Sequence, residues 1–421
     1  MVRREADSQT LQEARRRTLS LSRLGILLLI LSGCASDRYW RASGHDAFGR
    51  RDWEAAAEAY ARDAKEPGTN QLLLMLDQAT SLFNARKYKE AIPIFLAAED
   101  LAEIKDYTSI GEEVGVLATG QNTRGYKGED FEKVLINVYL ALSFAALGDV
   151  EEAQVECRKI NQLLNRMITE GKRNYEESPF ARYLSGILWE ASGEWNSAYL
   201  DYKFAYELDP TLPGLVSDLI FAAKKMGFSD EESKWRQAHP EAPLRKETKG
   251  WGELVVIYQQ GLSPRKTPRL EDRTLPRFVH RSSSDFGARV VVNGEPQGEA
   301  RSALDISGTS IRYLEDRVGR LKAAQLAGLA VKGAIGVGVA RATKNDDLGV
   351  LAFYALMAAE QADLRSWSTL PASLQILRVP LPEGSHDVTL EVLGPSDDVI
   401  RRIEHADVSV AARSKSFIVE R

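Results

Sequence analysis

The five histidines of this chain, His45, His239, His280, His386 and His405, lie far apart, and no His-Glu-x-x-His string puts two of them on one helix face. Metal ligation needs closer spacing, so no metal site is expected. Neither a P-loop nor a dinucleotide-binding glycine fingerprint is present, since Gly333, Gly336 and Gly338 sit inside an apolar helical stretch rather than after a strand. There is no Gly-x-Ser-x-Gly elbow. Asp363 and Arg365 form a charged pair at a helix-to-strand junction, where such a pair orients a corner more readily than it does chemistry. The sequence therefore assigns no catalytic residue, no metal and no cofactor, and the chain reads as a non-enzyme.

The formal net charge is -5, with 27% charged and 44% hydrophobic residues, the balance of a folded soluble chain rather than a disordered or polytopic one. Arg15, Arg16, Arg17 and Arg23 precede an unbroken apolar run over residues 24–31, the order of a secretory signal. Eight apolar residues cannot span a bilayer, which takes about 20. The segment thus reads as a cleaved signal over residues 1–33. Leu31-Ser32-Gly33-Cys34 resembles the bacterial lipobox. That resemblance implies a diacylglycerol thioether (palmitate-type acylation) on Cys34, cleavage just before it, and, with Ala35 rather than Asp next, sorting to the outer membrane facing the periplasm. Two or more acyl chains give firm anchoring. Removing the six arginines and three acidic residues of 1–33 leaves 49 basic against 57 acidic groups, a balance of -8, which argues against nucleic acid as a partner.

Only one other cysteine exists, so an acylated Cys34 leaves Cys157 without a disulfide partner and the fold dependent on packing. Cys157 is expected as a small buried hydrophobe.

Fixed-period repeats carry the organisation of residues 34–236. Trp40, Gly44, Trp53, Ala56 and Tyr60 set a frame that returns in Tyr88, Ala91, Phe95 and Ala98, in Gly148, Ala153 and Ile160, and most fully in Gly186, Trp189, Gly193, Trp195, Ala198, Tyr202, Ala205 and Pro210. The frame resembles the tetratricopeptide repeat (TPR). Small residues at Gly44, Ala79, Ala141 and Gly186, facing Ala56, Ala91, Ala153 and Ala198, are what a close crossing of paired helices needs. Between those four alanines the steps are 35, 62 and 45 residues, so the array is interrupted. The longest step holds Gly111, Gly115, Gly120, Gly125 and Gly128, read as a long ordered loop ending near Asp130. Residues 218–226 read as a final capping helix. The TPR resemblance also implies a concave partner-binding groove, whose positions here are Arg41, His45, Phe48, Phe83, Asn84, Tyr183 and Glu190. Such a mixture suits a peptide or helix.

Pro240, Pro243 and clustered charges place a linker over 237–250. Beyond it the pattern turns to strands: a β-branched run at 254–258, a strand at 290–292 leading into Asn293-Gly294, runs at 373–381 and 386–393, and 408–412 with 416–419 as one more hairpin. A small β-sandwich is expected over 251–421, interrupted by a helical insertion at about 310–367. Its arms, at 326–340 and 348–359, are apolar except for Lys332 and turn at Asn345-Asp346-Asp347. Arms of 15 and 12 residues fall short of a span and Lys332 would sit in hydrocarbon, so the hairpin is expected to pack on the sandwich.

The string 362–371 (Ala-Asp-Leu-Arg-Ser-Trp-Ser-Thr-Leu-Pro), with the stretches 126–132 and 252–258, resembles an uncharacterised family of TPR-containing bacterial lipoproteins over most of the mature chain. The fold expected is thus a TPR-like α-solenoid followed by an α+β domain. The function expected is that of a scaffold holding a periplasmic or envelope protein or peptide in envelope assembly or maintenance. An enzyme acting on peptidoglycan or glycan is the alternative, and a deep pocket with converging carboxylates would favour it.

Overall fold

The computed structural model describes residues 35–40, 42–65, 68–106, 117, 124–171, 178–358 and 360–421. Cys34, Arg41 and most of the glycine-rich step between the second and third repeats, including Gly111, Gly115 and Gly120, lie outside the described residues.

After a short helix α1 (Ala35–Trp40), the first half is a series of antiparallel helix pairs: α2 (Gly44–Gly49) with α3 (Trp53–Ala64), α4 (Gln71–Asn84) with α5 (Tyr88–Asp106), α6 (Asp130–Ala146) with α7 (Val150–Gly171), α8 (Pro179–Ala191) with α9 (Trp195–Leu208), and α10 (Leu215–Lys225) with α11 (Ser229–Ala238). Each pair turns in the same way. The residue two before the second helix is left-handed in all five: Arg51, Arg86, Gly148, Gly193 and Gly227. The pairs are therefore structural copies even where two turns lack the glycine that favours this conformation. Helix starts are fixed locally. Asp52 accepts from the Ala55 amide of α3, Ser178 precedes Pro179 and accepts from Ala181, and Glu129 with Glu132 forms a capping box on α6.

The repeat frame fixes how the paired helices cross. A methyl group on Gly44 would lie 2.6 Å from the Tyr60 ring, and one on Gly186 would collide with Tyr202 in the same way. Ala56, Ala79, Ala91, Ala141, Ala153 and Ala198 are fully buried beside them. Cys157 is also fully buried, and burial pushes its thiol up to about 12, so it stays protonated and inert.

The second half is strand-rich. One sheet has the order β10-β1-β7-β6 and another β5-β4-β8-β9, from β1 (Trp251–Gln260), β4 (Gly287–Val292), β5 (Glu295–Glu299), β6 (Arg301–Asp305), β7 (Ser373–Pro382), β8 (Gly384–Leu393), β9 (Val399–Val410) and β10 (Lys415–Glu420). A separate ribbon pairs β2 (Arg265–Pro268) with β3 (Pro276–Val279). Leu254, Val256 and Tyr258 of β1 share an apolar core with Val290 of β4 and Leu390 of β8. Val255 and Ile257, on the opposite face, join the core of the helical repeats. The first sheet is thus buried on both faces, which is why β1 reads as a continuous apolar run.

Asn293 and Gly294 both have positive φ, as a two-residue hairpin turn requires, and connect β4 to β5. The expected hairpin near the C-terminus does not form: β9 pairs with β8, whereas β10 pairs parallel to β1 with Ile418 opposite Val256. Composition explains the switch. β10 is buried along its last four residues and needs cover on both faces, while β9 alternates between exposed and half-buried positions.

Between β6 and β7 the chain forms α12 (Ile306–Thr343) and α13 (Asp346–Ala358). Lys344 is left-handed, and Asn345 accepts from the Asp347 amide at the tip. The arm does not lie on the sheets. Beyond its foot, Leu326, Leu329, Val337, Val350, Leu351 and Tyr354 are exposed, because small residues bring the two arms together and leave the large ones outside. Nor does the second arm reach Trp367: residues 360–371 leave the helix and form an irregular extended segment.

Candidate functional site

The inner face of the helical repeats is occupied by the chain itself. Residues 362–371 run across it, and Trp367, only 1% exposed, inserts between α4, α5 and α6, its ring 5.5 Å from Tyr139 and 6.2 Å from Phe95. Its indole Nε1 donates to Thr80 Oγ1 and Thr369 Oγ1, each at 3.0 Å.

The backbone of this segment is held group by group. Ser36 Oγ accepts from the Leu364 amide (3.0 Å), and Trp40 Nε1 donates to the Leu364 carbonyl (3.1 Å). Glu132 accepts from the Trp367 amide (2.8 Å), Tyr39 Oη from the Ser368 amide (3.1 Å), and Asp77 from the Thr369 amide (3.2 Å) and hydroxyl (2.8 Å). Arg281 donates to the Ser368 carbonyl and Arg421 to the Thr369 carbonyl, both at 2.5 Å. Arg365 folds back on Asp363 (2.7 Å) and donates to the Thr69 carbonyl (3.1 Å), so this pair fixes a corner. An extended segment with its main-chain groups read by side chains is the arrangement of a bound peptide, here supplied in cis.

Two buried carboxylates organise this contact. Burial pushes Asp77 up to about 7 against hydrogen bonds from Tyr39 and Thr369. Glu132 is also raised to about 7, by burial and then by neighbouring Glu129, although it accepts from Tyr126 Oη (2.6 Å) and the Glu129 amide (3.0 Å). Glu129 itself behaves oppositely. Burial disfavours its charge, but Lys266 (2.6 Å) and Arg317 outweigh that and hold it at about 2. Asp77, lying within the apolar run of α4, is a sequence signal for a buried polar partner that motif reasoning passed over.

The groove positions named from the repeat frame fall into two groups around this segment. His45 donates from Nε2 to the Tyr39 carbonyl (2.9 Å), leaving Nδ1 to accept from Tyr60 Oη (2.7 Å) beside Ser368 Oγ (3.2 Å). Burial lowers its pKa to about 4, so the ring is neutral. Phe48 lies against Trp53 and under the Arg421 guanidinium, and Phe83 packs edge-on to Tyr139. Asn84 accepts from Gln259 of β1 at 2.8 Å.

Tyr183 and Glu190 belong to a second contact. Tyr183 donates to Asp218 (2.7 Å), and Glu190 meets Arg245 (2.6 Å), Arg378 (3.0 Å) and Lys415 (2.9 Å). Asp218 and Glu253 complete a set of three carboxylates and three cations that joins α8 and α10 to β1, β7 and β10. Burial opposes ionisation here, yet the three cations hold Glu190 well below the usual carboxylate range and Glu253 at about 2. Every described position of the expected groove thus faces the chain's own residues, and Glu190 is a structural ion-pair member rather than a free surface charge. No local pattern marks Arg245, Arg378 and Lys415, from three distant stretches, as converging on it.

Other depressions are less organised. A cavity of about 400 Å³ between α5, α6 and α7 is lined by Glu99, Glu103, Lys133, Asn137, Lys159 and Arg166. Glu99 and Glu156 both pair with Lys159, at 2.9 and 3.0 Å. Among the described residues no group of three or more His, Cys, Asp or Glu side chains is arranged to hold a metal ion.

No family model matches the chain, and no curated protein matches it. Among solved structures, a crystal structure of MamA is 14% identical, covering 48% of this chain and 94% of that one, with a TM-score of 0.33. A further MamA crystal form, MSR-1 C2, is 12% identical over 48% of this chain and 94% of that one, with a TM-score of 0.31. A protein of nearly identical TPR-like repeats from Podosopora anserina is 13% identical over 48% of this chain and 92% of that one, with a TM-score of 0.32.

Proposed function

We propose that this chain is a non-catalytic protein-interaction scaffold of the cell envelope, lipid-anchored through acylated Cys34 to the outer membrane and facing the periplasm. The observation that supports it best is the inner face of the repeats, which grips the extended segment 362–371 through backbone hydrogen bonds and a buried tryptophan. Because that face is filled in cis, the helical and strand-rich halves share one packed core. Partner proteins then dock on the outer surface, where α9 presents Leu200 and Phe204 to solvent. Exposed apolar pairs of this kind suit a transient protein contact.

The test is made in intact cells. Feeding a clickable fatty acid is expected to label the wild-type chain and not Cys34→Ser. A photo-crosslinking residue at position 204 is expected to trap envelope proteins, and the same residue at position 80 is not. An unlabelled wild type would remove the lipid anchor, and adducts formed only from position 80 would return the partner site to the groove.

A further inference from the structure

We infer that the α12–α13 arm lies in the acyl region of the lipid leaflet that holds the Cys34 anchor, as a second membrane contact built into the folded domain. This inference rests on the lipoprotein reading for its membrane but not for its chemistry.

The arm has the composition and dimensions of an interfacial element. Helix α12 contains a window long and apolar enough to be a membrane-span candidate, and little of that window is buried. Leu326 is 72% exposed, Val337 52% and Tyr354 63%. A surface helix in water keeps one apolar stripe and buries it, whereas here Leu326 and Val337 on one face of α12 and Ile335 on the opposite face are all exposed. The arms meet through small residues. A methyl group on Gly336 would lie 2.9 Å from the Gly349 carbonyl oxygen, and one on Gly349 would lie 2.6 Å from Ala340 Cβ. Close backbone approach is how helices associate where no hydrophobic effect drives them together.

Charge is arranged to match. Between Lys322 and Arg341 the only charged residue is Lys332, which is fully buried and paired with Glu360 at 2.5 Å. Arg317, Arg320 and Lys322 stand at the foot, and Arg341, Lys344, Asp346 and Asp347 at the tip. Polar groups at both ends of an apolar rod keep it along the headgroup boundary rather than across the bilayer. Embedding to roughly 5–10 Å is typical of such elements. The paired part of the arm, about 12 residues or ~18 Å long at 1.5 Å per residue, is also too short to span.

The position of the anchor singles out lipid rather than a second copy of the chain. Cys34 is two residues before Ser36, whose hydroxyl accepts from the Leu364 amide, four residues past Glu360 at the arm's foot. Acyl chains on Cys34 would therefore enter the bilayer beside the arm.

The experiment uses the mature chain from residue 34 carrying Cys34→Ser, so that no acyl group contributes. On flotation with vesicles of phosphatidylethanolamine and phosphatidylglycerol, this protein is expected to rise with the lipid. The triple variant Leu326→Glu/Val337→Glu/Tyr354→Glu, with unchanged circular dichroism and melting, is expected to bind at least tenfold more weakly. Absence of flotation by the acyl-free parent, or equal flotation by the folded triple variant, would overturn the inference. So would a dimer in sedimentation that the triple substitution dissolves without any lipid binding, which would make a second copy the occupant. Acyl labelling of Cys34 is scored separately, so a failed anchor and a failed arm are told apart.

Discussion

The α12–α13 arm and the segment that follows it differ in composition and in burial in opposite senses. The arm is Leu, Val, Ile, Gly and Ala over most of its length, yet its large side chains stand in solvent. Residues 362–371 include Asp, Arg, two Ser and Thr, yet from Arg365 onward every one is buried. Hydropathy would have ordered them the other way. Burial is decided by whether a complementary surface exists. The repeats offer the segment donors and acceptors for its backbone, so its polar groups lose little on leaving water. Tyr313 meets Phe131 and Gly328 meets Leu117 along the arm, but its large side chains from Leu326 outward are left uncovered by the described molecule, and a bilayer is the surface they match.

The largest effect should come from removing the side chain that ties the polar segment into the repeats. Trp367→Ala is expected to lower the stability by about 3–5 kcal/mol, the usual cost of emptying a large aromatic site. Denaturant unfolding measures it. A loss below 1 kcal/mol would mean that the segment rests on the groove without supporting the fold.

A smaller effect should appear as a pH dependence. The pKa of Glu132 is raised from its ordinary 4.5 to about 7 in the folded chain, so the native state retains a proton that the unfolded state releases. Its contribution to stability is then present below pH 4.5 and lost as pH rises to 7, by up to about 3 kcal/mol. Glu132→Gln should cost a constant amount for the altered hydrogen bond but flatten the decline between pH 5 and 8. Unfolding free energies of the two proteins running parallel across that range would show that Glu132 is already ionised in the groove.

The smallest effect is expected on the arm. Val337→Glu places a charge on an exposed helical face and should change stability in water by no more than about 0.5 kcal/mol. A shift of several degrees in melting temperature would reveal a packed surface and erase the contrast between the two stretches.

Much of the local structure was legible in the residues. The small positions Gly44, Ala56, Gly186 and Ala198 marked helix crossings because close packing leaves a steric record that no other residue type satisfies. Asn293-Gly294 marked its turn because two successive positive φ angles restrict composition severely. The strand around 254–258 and the turn at 345–347 were visible for the same kind of reason, each a local preference written into consecutive residues, whereas the end of the insertion, expected at Trp367, falls at Ala358. The fifth helix pair was legible only as far as α10, since α11 carries no buried residue and so no apolar stripe.

What tertiary structure alone decided is which surfaces meet. The inner-face positions are polar and aromatic, but nothing in their spacing says that the occupant is residue 367 of the same chain. The ion cluster has the same character: Glu190, Asp218, Arg245, Glu253, Arg378 and Lys415 are individually ordinary and acquire meaning only when α8, α10, the connection before β1, and β1, β7 and β10 converge. The exchange of strands between sheets, with β10 leaving β9 to lie beside β1, is likewise invisible locally. Periodicity reports the solvent boundary of one element, whereas these contacts depend on the relative placement of elements hundreds of residues apart, and that is set by the summed burial of the whole chain.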